Sequence, residues 1–221
     1  MQPKNQFDAS GSLAGYLFQC RLALFLGLQS VKKKPNGQVS IEKFDDISIE
    51  NGASDQNLIQ AKHHVAAKKI GDMSVDIWKT IRIWADGISA GVVAASDVKR
   101  FLITTAIAED GSALVDLRPG SSTEQRKNAR KALQSAAKTS KNKDSEPGRK
   151  AFLSLSDAEA DILLANVEVI DGHPGLVDVK TEIEGELRLL APDRAQDVAE
   201  ALEGWWLGVV SRRLMGDKGK K

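Results

Sequence analysis

The chain has 221 residues, 42% of them hydrophobic, and its 31 Lys or Arg nearly balance its 30 Asp or Glu. That is enough to bury one large core, and it excludes the disordered and fibrous classes. Cys20 is the sole cysteine, so an intramolecular disulfide and a cysteine-rich zinc site are also excluded.

The net charge of +1 is unevenly spread: residues 123–150 hold nine Lys or Arg against three acidic residues, a local +6, which leaves −5 elsewhere. Near the N-terminus, Ser10 or Ser12 can cap a first helix running to about Gln29, with Leu13, Leu17, Cys20, Leu24 and Leu28 as its apolar stripe. The apolar run 13–28 is expected to be too short for a membrane span. It contains Gln19 and Arg21 and lacks the basic segment and cleavage site of a signal peptide. A cytoplasmic protein without membrane association is therefore expected.

Residues 39–50 read as an acidic strand or strands, with a bulge or bend near Phe44 and Asp45 that aims Asp46 inward. Asn51-Gly52 reads as a turn, folding this segment back on a strand over 58–64. Alternate strand residues share a face, so Gln60 and Lys62 project together while Ile59 and Ala61 face the other way. Asp46, Gln60 and Lys62 are thereby expected at one end of a sheet. A carboxylate and an amide carbonyl oxygen are hard ligands suited to Mg²⁺, with Mn²⁺ as a substitute, and a nearby ammonium can assist the attacking water or the charge that develops on phosphorus. For the charged residues of 42–50, the competing reading is an edge strand protected against aggregation. Glu42 fits a solvated face as readily as a supporting role.

His63 and His64 are adjacent, so a strand would turn them to opposite sides and prevent their sharing one metal. One of them, His64, is a candidate auxiliary group near the phosphate; the other is expected to pack against a helix.

Further along, residues 75–88 form an amphipathic helix with Ile77, Ile81, Trp84 and Ile88 on one face, and 101–105 a core strand. The segment 123–140 is helical and mostly polar. Lys127, Arg130, Lys131 and Lys138 are its candidate DNA-contacting cations, although a charge run is usually a solvated face. Residues 141–150 read as a mobile loop. The remainder reads as helices over 156–166, 176–189 and 193–215, a short strand over 167–170 and a basic tail. Trp205 and Trp206 are candidate interface anchors.

Three segments together carry a resemblance: GSLAGYLFQ (11–19), EKFDD (42–46) and QAKHH (60–64). The order helix, acidic strand, Gln-x-Lys strand resembles the PD-(D/E)xK nuclease superfamily in its Gln-x-Lys subset. More closely, it resembles the double-stranded DNA endonuclease domain at the N-terminus of bacterial antiphage effectors, including those of cyclic-oligonucleotide-signalling defence and ABC three-component systems. The resemblance implies a restriction-endonuclease-like α/β/α core with a mixed central sheet, here over about 8–110, and a helical C-terminal part over 156–215 within a single nuclease-like domain spanning 1–221. It further implies Mg²⁺-dependent hydrolysis of double-stranded DNA, with Asp46 and Gln60 holding the metal, Lys62 catalytic, and Gln19, Glu42, Asp45 and His64 in support. Partner proteins of a defence system belong to the same expectation, and a homodimer is expected because one Asp46, Gln60 and Lys62 set cuts one strand per binding event. Because a neutral amide binds Mg²⁺ less strongly than a carboxylate, a catalytically inactive DNA-binding or assembly module is the alternative. For the same reason, Gln60→Glu is expected to preserve or strengthen metal binding.

Overall fold

The computed structural model describes residues 10–43, 45–50, 55–89 and 98–216. Helix α1 (Ser10–Lys33) leads into strands β1 (Gln38–Ile41), β2 (Ile47–Glu50) and β3 (Gln56–Lys62). A two-residue strand β4 (Lys69–Ile70), helix α2 (Val75–Ser89), strand β5 (Val98–Thr104) and a short β6 (Ile107–Ala108) follow. The chain continues as α3 (Thr123–Thr139), α4 (Glu146–Leu153), α5 (Asp157–Ala165), β7 (Val167–Ile170), α6 (Leu176–Arg188) and α7 (Ala195–Leu214).

The main sheet has the order β1-β2-β3-β5-β7, with β4 and β6 forming a separate parallel pair. Its first pairings, β1 with β2 and β2 with β3, are antiparallel, whereas β5 runs parallel to both β3 and β7. The protein therefore has an α/β fold with a mixed central sheet, as expected from the sequence. Helices cover both faces. Phe18, Leu22 and Phe25 of α1 pack with Val179 and Ile183 of α6 and Ala199 of α7 against Ile47, Ile59, Ala61 and Ile103. On the opposite face, Ile77, Trp78 and Trp84 of α2 join Leu133 of α3, Phe152 of α4 and Leu163 of α5 over Leu102, Val167 and Val169.

Local chemistry accounts for the helix boundaries. Ser122 and Gln125 form a reciprocal capping box at the start of α3, and Ser156 with Glu159 does the same for α5, satisfying backbone N–H groups that the helix cannot. Pro147 opens α4, where its missing N–H costs nothing. Gly148 lets α4 touch α2: a Cβ there would overlap the backbone carbonyl of Trp78.

Several expectations need correction. Helix α1 extends to Lys33, and its 24 residues are long and apolar enough to cross a membrane by length and composition. Shortness therefore does not argue against a span; Phe18, Cys20, Leu22 and Phe25 of this helix are buried in the protein. Leu13, assigned to the apolar stripe, is 59% exposed, whereas Phe18, outside that stripe, is fully buried in the core. The segment 141–150 is not a loop: Asn142 caps a 3-10 turn over Lys143–Ser145 that runs into α4, and Arg149 donates to the carbonyls of Ala137 and Asn142. The acidic segment forms two paired strands, the plural form of the expected reading. The Asn51-Gly52 turn, Phe44 and the tail 217–221 lie outside the described residues.

Candidate metal and phosphate site

The β1–β2 connection carries the acidic pair. At its mouth the Glu42 N–H donates to the Asp46 carbonyl, and Glu42 takes a left-handed conformation with φ 55°, sparsely populated by residues other than Gly, Asn and Asp. The tight reversal brings Asp45 and Asp46 to the start of β2. Because Ile47 pairs with Ile59, Asp46 lies beside the last residues of β3.

Gln60 and Lys62 project from β3 toward the α2 layer, whereas Ile59 and Ala61 enter the α1 layer. The Lys62 Nζ donates to Gln60 Oε1 at 2.8 Å and lies 3.5 Å from Asp46 Oδ2. A second bond holds Asp46: its Oδ2 accepts the Ala61 backbone N–H at 2.9 Å. The structure thus brings together the three residues expected to act as one unit, at the C-terminal end of a strand flanked by a parallel neighbour, where α/β proteins commonly bind ligands.

Asp45 turns the other way. It is 7% exposed, and its carboxylate accepts from Gln60 Nε2, from the Trp84 indole N–H at 3.0 Å and from the Asp46 backbone N–H at 3.0 Å. Burial pushes its pKa up, against the hydrogen bonds from Gln60 and Trp84. Arg100, 1% exposed in β5, adds a buried positive charge whose field reaches Asp45; burial pulls its own pKa down. Glu42 is exposed beside the pair. Partial desolvation and then the charges of Asp46 and Asp45 push its pKa up, while Lys62 pulls it down.

Neither of the other expected supporting residues has a side-chain hydrogen bond to this group, although the Lys62 charge acts on His64. Gln19 is half-buried on α1 and hydrogen-bonds none of Asp46, Gln60 and Lys62. His64 lies near Asp76, with Nε2 to Oδ2 at 3.7 Å, and its backbone N–H donates to Thr105 Oγ1. Burial, then the Lys68 charge, pulls its pKa down. His63 packs against the Phe18 ring at 5.0 Å between centroids and accepts the Leu176 N–H, as expected of the histidine turned toward a helix.

Of the candidate DNA-contacting cations, Lys127, Lys131 and Lys138 are exposed on α3. Arg130 differs: its guanidinium is bound at 2.7 Å to both Asp157 and Asp161, tying α3 to α5. Trp205 is 58% exposed, whereas Trp206 donates its indole N–H to the Cys20 carbonyl at 2.7 Å and docks α7 on α1.

Trp84 and Arg100 were not legible as site residues. Trp84 reads as ordinary helix-face core, and nothing in its spacing indicates that the indole N–H reaches a carboxylate. Arg100 left a faint signal, a cation at a position sharing its strand face with Leu102.

Among the described residues no group of three or more His, Cys, Asp or Glu side chains could hold a metal ion. The oxygens of Asp46 and Gln60 nevertheless converge on one positive charge, the Lys62 ammonium. Such a donor set fits Mg²⁺, which takes one or two protein oxygens and completes its shell with water and phosphate.

No family model matches the sequence. No curated protein matches it either. In structure the chain is similar to the Moraxella osloensis Cap4 SAVED/CARF-domain containing receptor, with a TM-score of 0.51 and 12% identity over 90% of this chain and 43% of that one. It is also similar to the Acinetobacter baumannii Cap4 SAVED/CARF-domain containing receptor solved with the cyclic trinucleotide 2'3'3'-cAAA, with a TM-score of 0.50 and 14% identity over 90% of this chain and 40% of that one. At this identity the likeness establishes a shared fold, and the chain spans less than half of each neighbour's length.

Proposed function

We propose that this chain is a divalent-metal-dependent endonuclease that hydrolyses phosphodiester bonds of double-stranded DNA and acts in bacterial antiphage defence, with a restriction-endonuclease-like core. The observation that carries the chemistry is the convergence of Asp46 Oδ2 and Gln60 Oε1 on Lys62 Nζ. The defence setting rests on the motif resemblance, with fold likeness to the Cap4 receptors in support. Partner proteins of such a system belong to the same proposal, and nothing assigns cyclic-nucleotide binding to this chain.

In this reading Asp46 and Gln60 hold Mg²⁺ or Mn²⁺. When bound, the cation supplies Lewis-acid polarisation of the scissile phosphate and a more acidic water. The Ala61 N–H keeps the Asp46 carboxylate turned toward Gln60 and Lys62. The Lys62 ammonium, drawn from its present partners toward the substrate, orients the water and offsets the negative charge that grows on the phosphoryl oxygens.

A catalytically silent DNA-binding or assembly module is the second reading. It is favoured by the single carboxylate at the converging oxygens, which Lys62 already neutralises. Plasmid cleavage with Mg²⁺ and with Mn²⁺ separates the two. Asp46→Ala and Lys62→Ala are each expected to abolish cleavage with little change in melting temperature; a wild-type chain that binds DNA without cutting it would establish the silent module.

A further inference from the structure

Gln60 is buried at 1% exposure, so the direction of its amide is decided by its neighbours and not by water. On one side lies the Asp45 carboxylate, which can only accept hydrogen bonds; on the other lies the Lys62 ammonium, which can only donate them. Both neighbours select the same orientation, with the NH₂ toward Asp45 and the carbonyl oxygen toward Lys62. The reversed amide would set NH₂ against an ammonium and oxygen against a carboxylate. Asp45 is itself held by the Trp84 indole on α2 and by the Asp46 N–H, so the selecting group cannot easily swing away.

We propose that Asp45 is a positioning residue that aims the Gln60 carbonyl oxygen at the metal, and that its carboxylate makes glutamine, and not glutamate, the functional residue at position 60. This rests on the metal-site reading above and reverses the expectation that a carboxylate at position 60 improves binding. A glutamate there would have no N–H to offer Asp45 and would leave two carboxylates facing each other in a buried space. Exchanging both partners restores the contacts to residue 60 and Trp84, because an asparagine at position 45 can donate to the new carboxylate while its oxygen still accepts from Trp84; the Asp46 N–H, which shares Asp45 Oδ1 with Gln60, loses its acceptor.

The test is Mn²⁺ binding, followed by electron paramagnetic resonance of the free ion, in wild type, Gln60→Glu and the double variant Asp45→Asn/Gln60→Glu, each checked by thermal melting. Gln60→Glu is expected to weaken binding by about 10- to 100-fold, the usual effect of disturbing a ligand's supporting hydrogen bond, and the double variant to recover part of the loss. Wild-type affinity in Gln60→Glu would overturn the positioning role alone, whereas a wild-type protein that binds no Mn²⁺ would overturn the metal-site reading itself. A readout independent of metal is the Gln60 side-chain amide in the ¹H–¹⁵N spectrum of the wild-type protein, assigned by through-bond correlation to the Gln60 backbone. Protected, widely separated NH₂ resonances are expected, and rapid exchange of these protons would overturn the role even if Gln60→Glu failed to fold.

Discussion

The Trp84 indole N–H donates to Asp45 Oδ2 across 3.0 Å, joining the far half of α2 to the turn that carries Asp46. Trp84 is 4% exposed and also fills the core between α2 and the sheet, so one side chain supports both packing and the acidic turn. Trp84→Phe keeps most of the apolar area but leaves Asp45 with one donor fewer. The expected cost is about 1–3 kcal/mol in urea unfolding, accompanied by weaker Mn²⁺ binding; unchanged stability and affinity would make the indole contact incidental.

Close packing of α2 on α4 depends on Gly148. Gly148→Ala would gain helix propensity of about 1 kcal/mol in an exposed helix. Here the added methyl meets the Trp78 backbone carbonyl, which cannot rotate away, so a net loss of about 1–3 kcal/mol is expected from forced separation of the helices. A calorimetric melting temperature at or above wild type would show that α4 yields without cost.

Arg118 grips Asp171 in a two-point contact at 2.8 and 2.7 Å, and the Ala108 N–H donates to the same carboxylate at 2.8 Å. The Arg118 hydrogen bonds, offset in part by burial, hold the Asp171 pKa below the usual carboxylate range. A depressed folded-state pKa means that the unfolded chain binds the proton more readily. The stabilisation is therefore full above the ordinary value of about 4 and is lost as pH falls through the folded value. Because the Arg118 side chain is 43% exposed, about 1 kcal/mol is a realistic size for the effect. Denaturation of wild type and Asp171→Asn between pH 7 and pH 3 should show the wild-type advantage shrinking toward the acid end; a pH-independent difference would refute the linkage.

Lys127, Lys131 and Lys138 should behave differently from Arg130. If the three lysines meet phosphates, replacing them with Gln lowers affinity for all DNA sequences alike and reduces the salt slope by up to about 3. Arg130→Gln, by contrast, strips Asp157 and Asp161 of their shared partner and should act mainly on stability, with little change in salt slope. Fluorescence anisotropy at several salt concentrations separates the two effects. An unchanged slope in the lysine variant would make α3 an ordinary solvated helix.

Most of the helices and main-sheet strands, and the sharing of a strand face by Gln60 and Lys62, follow from short-range rules, whereas His63 and His64 lie just past the end of β3 and their separation does not come from strand alternation. Strand alternation and helical spacing act over a few residues and are written directly in the chain. The approach of Asp46 to β3 was legible too, because a short hairpin leaves few alternatives to antiparallel pairing. What became of each polar group was decided only by tertiary contact. Asp45 and Asp46 are neighbours of one residue type, yet one accepts from Gln60 and Trp84 in the interior while the other joins the Lys62 group. Likewise Arg130 and Lys131 are adjacent cations, but only Arg130 meets the carboxylates of α5. Those partners come from elements 39 and 31 residues away in the chain, so the selecting contact exists only after the layers have closed.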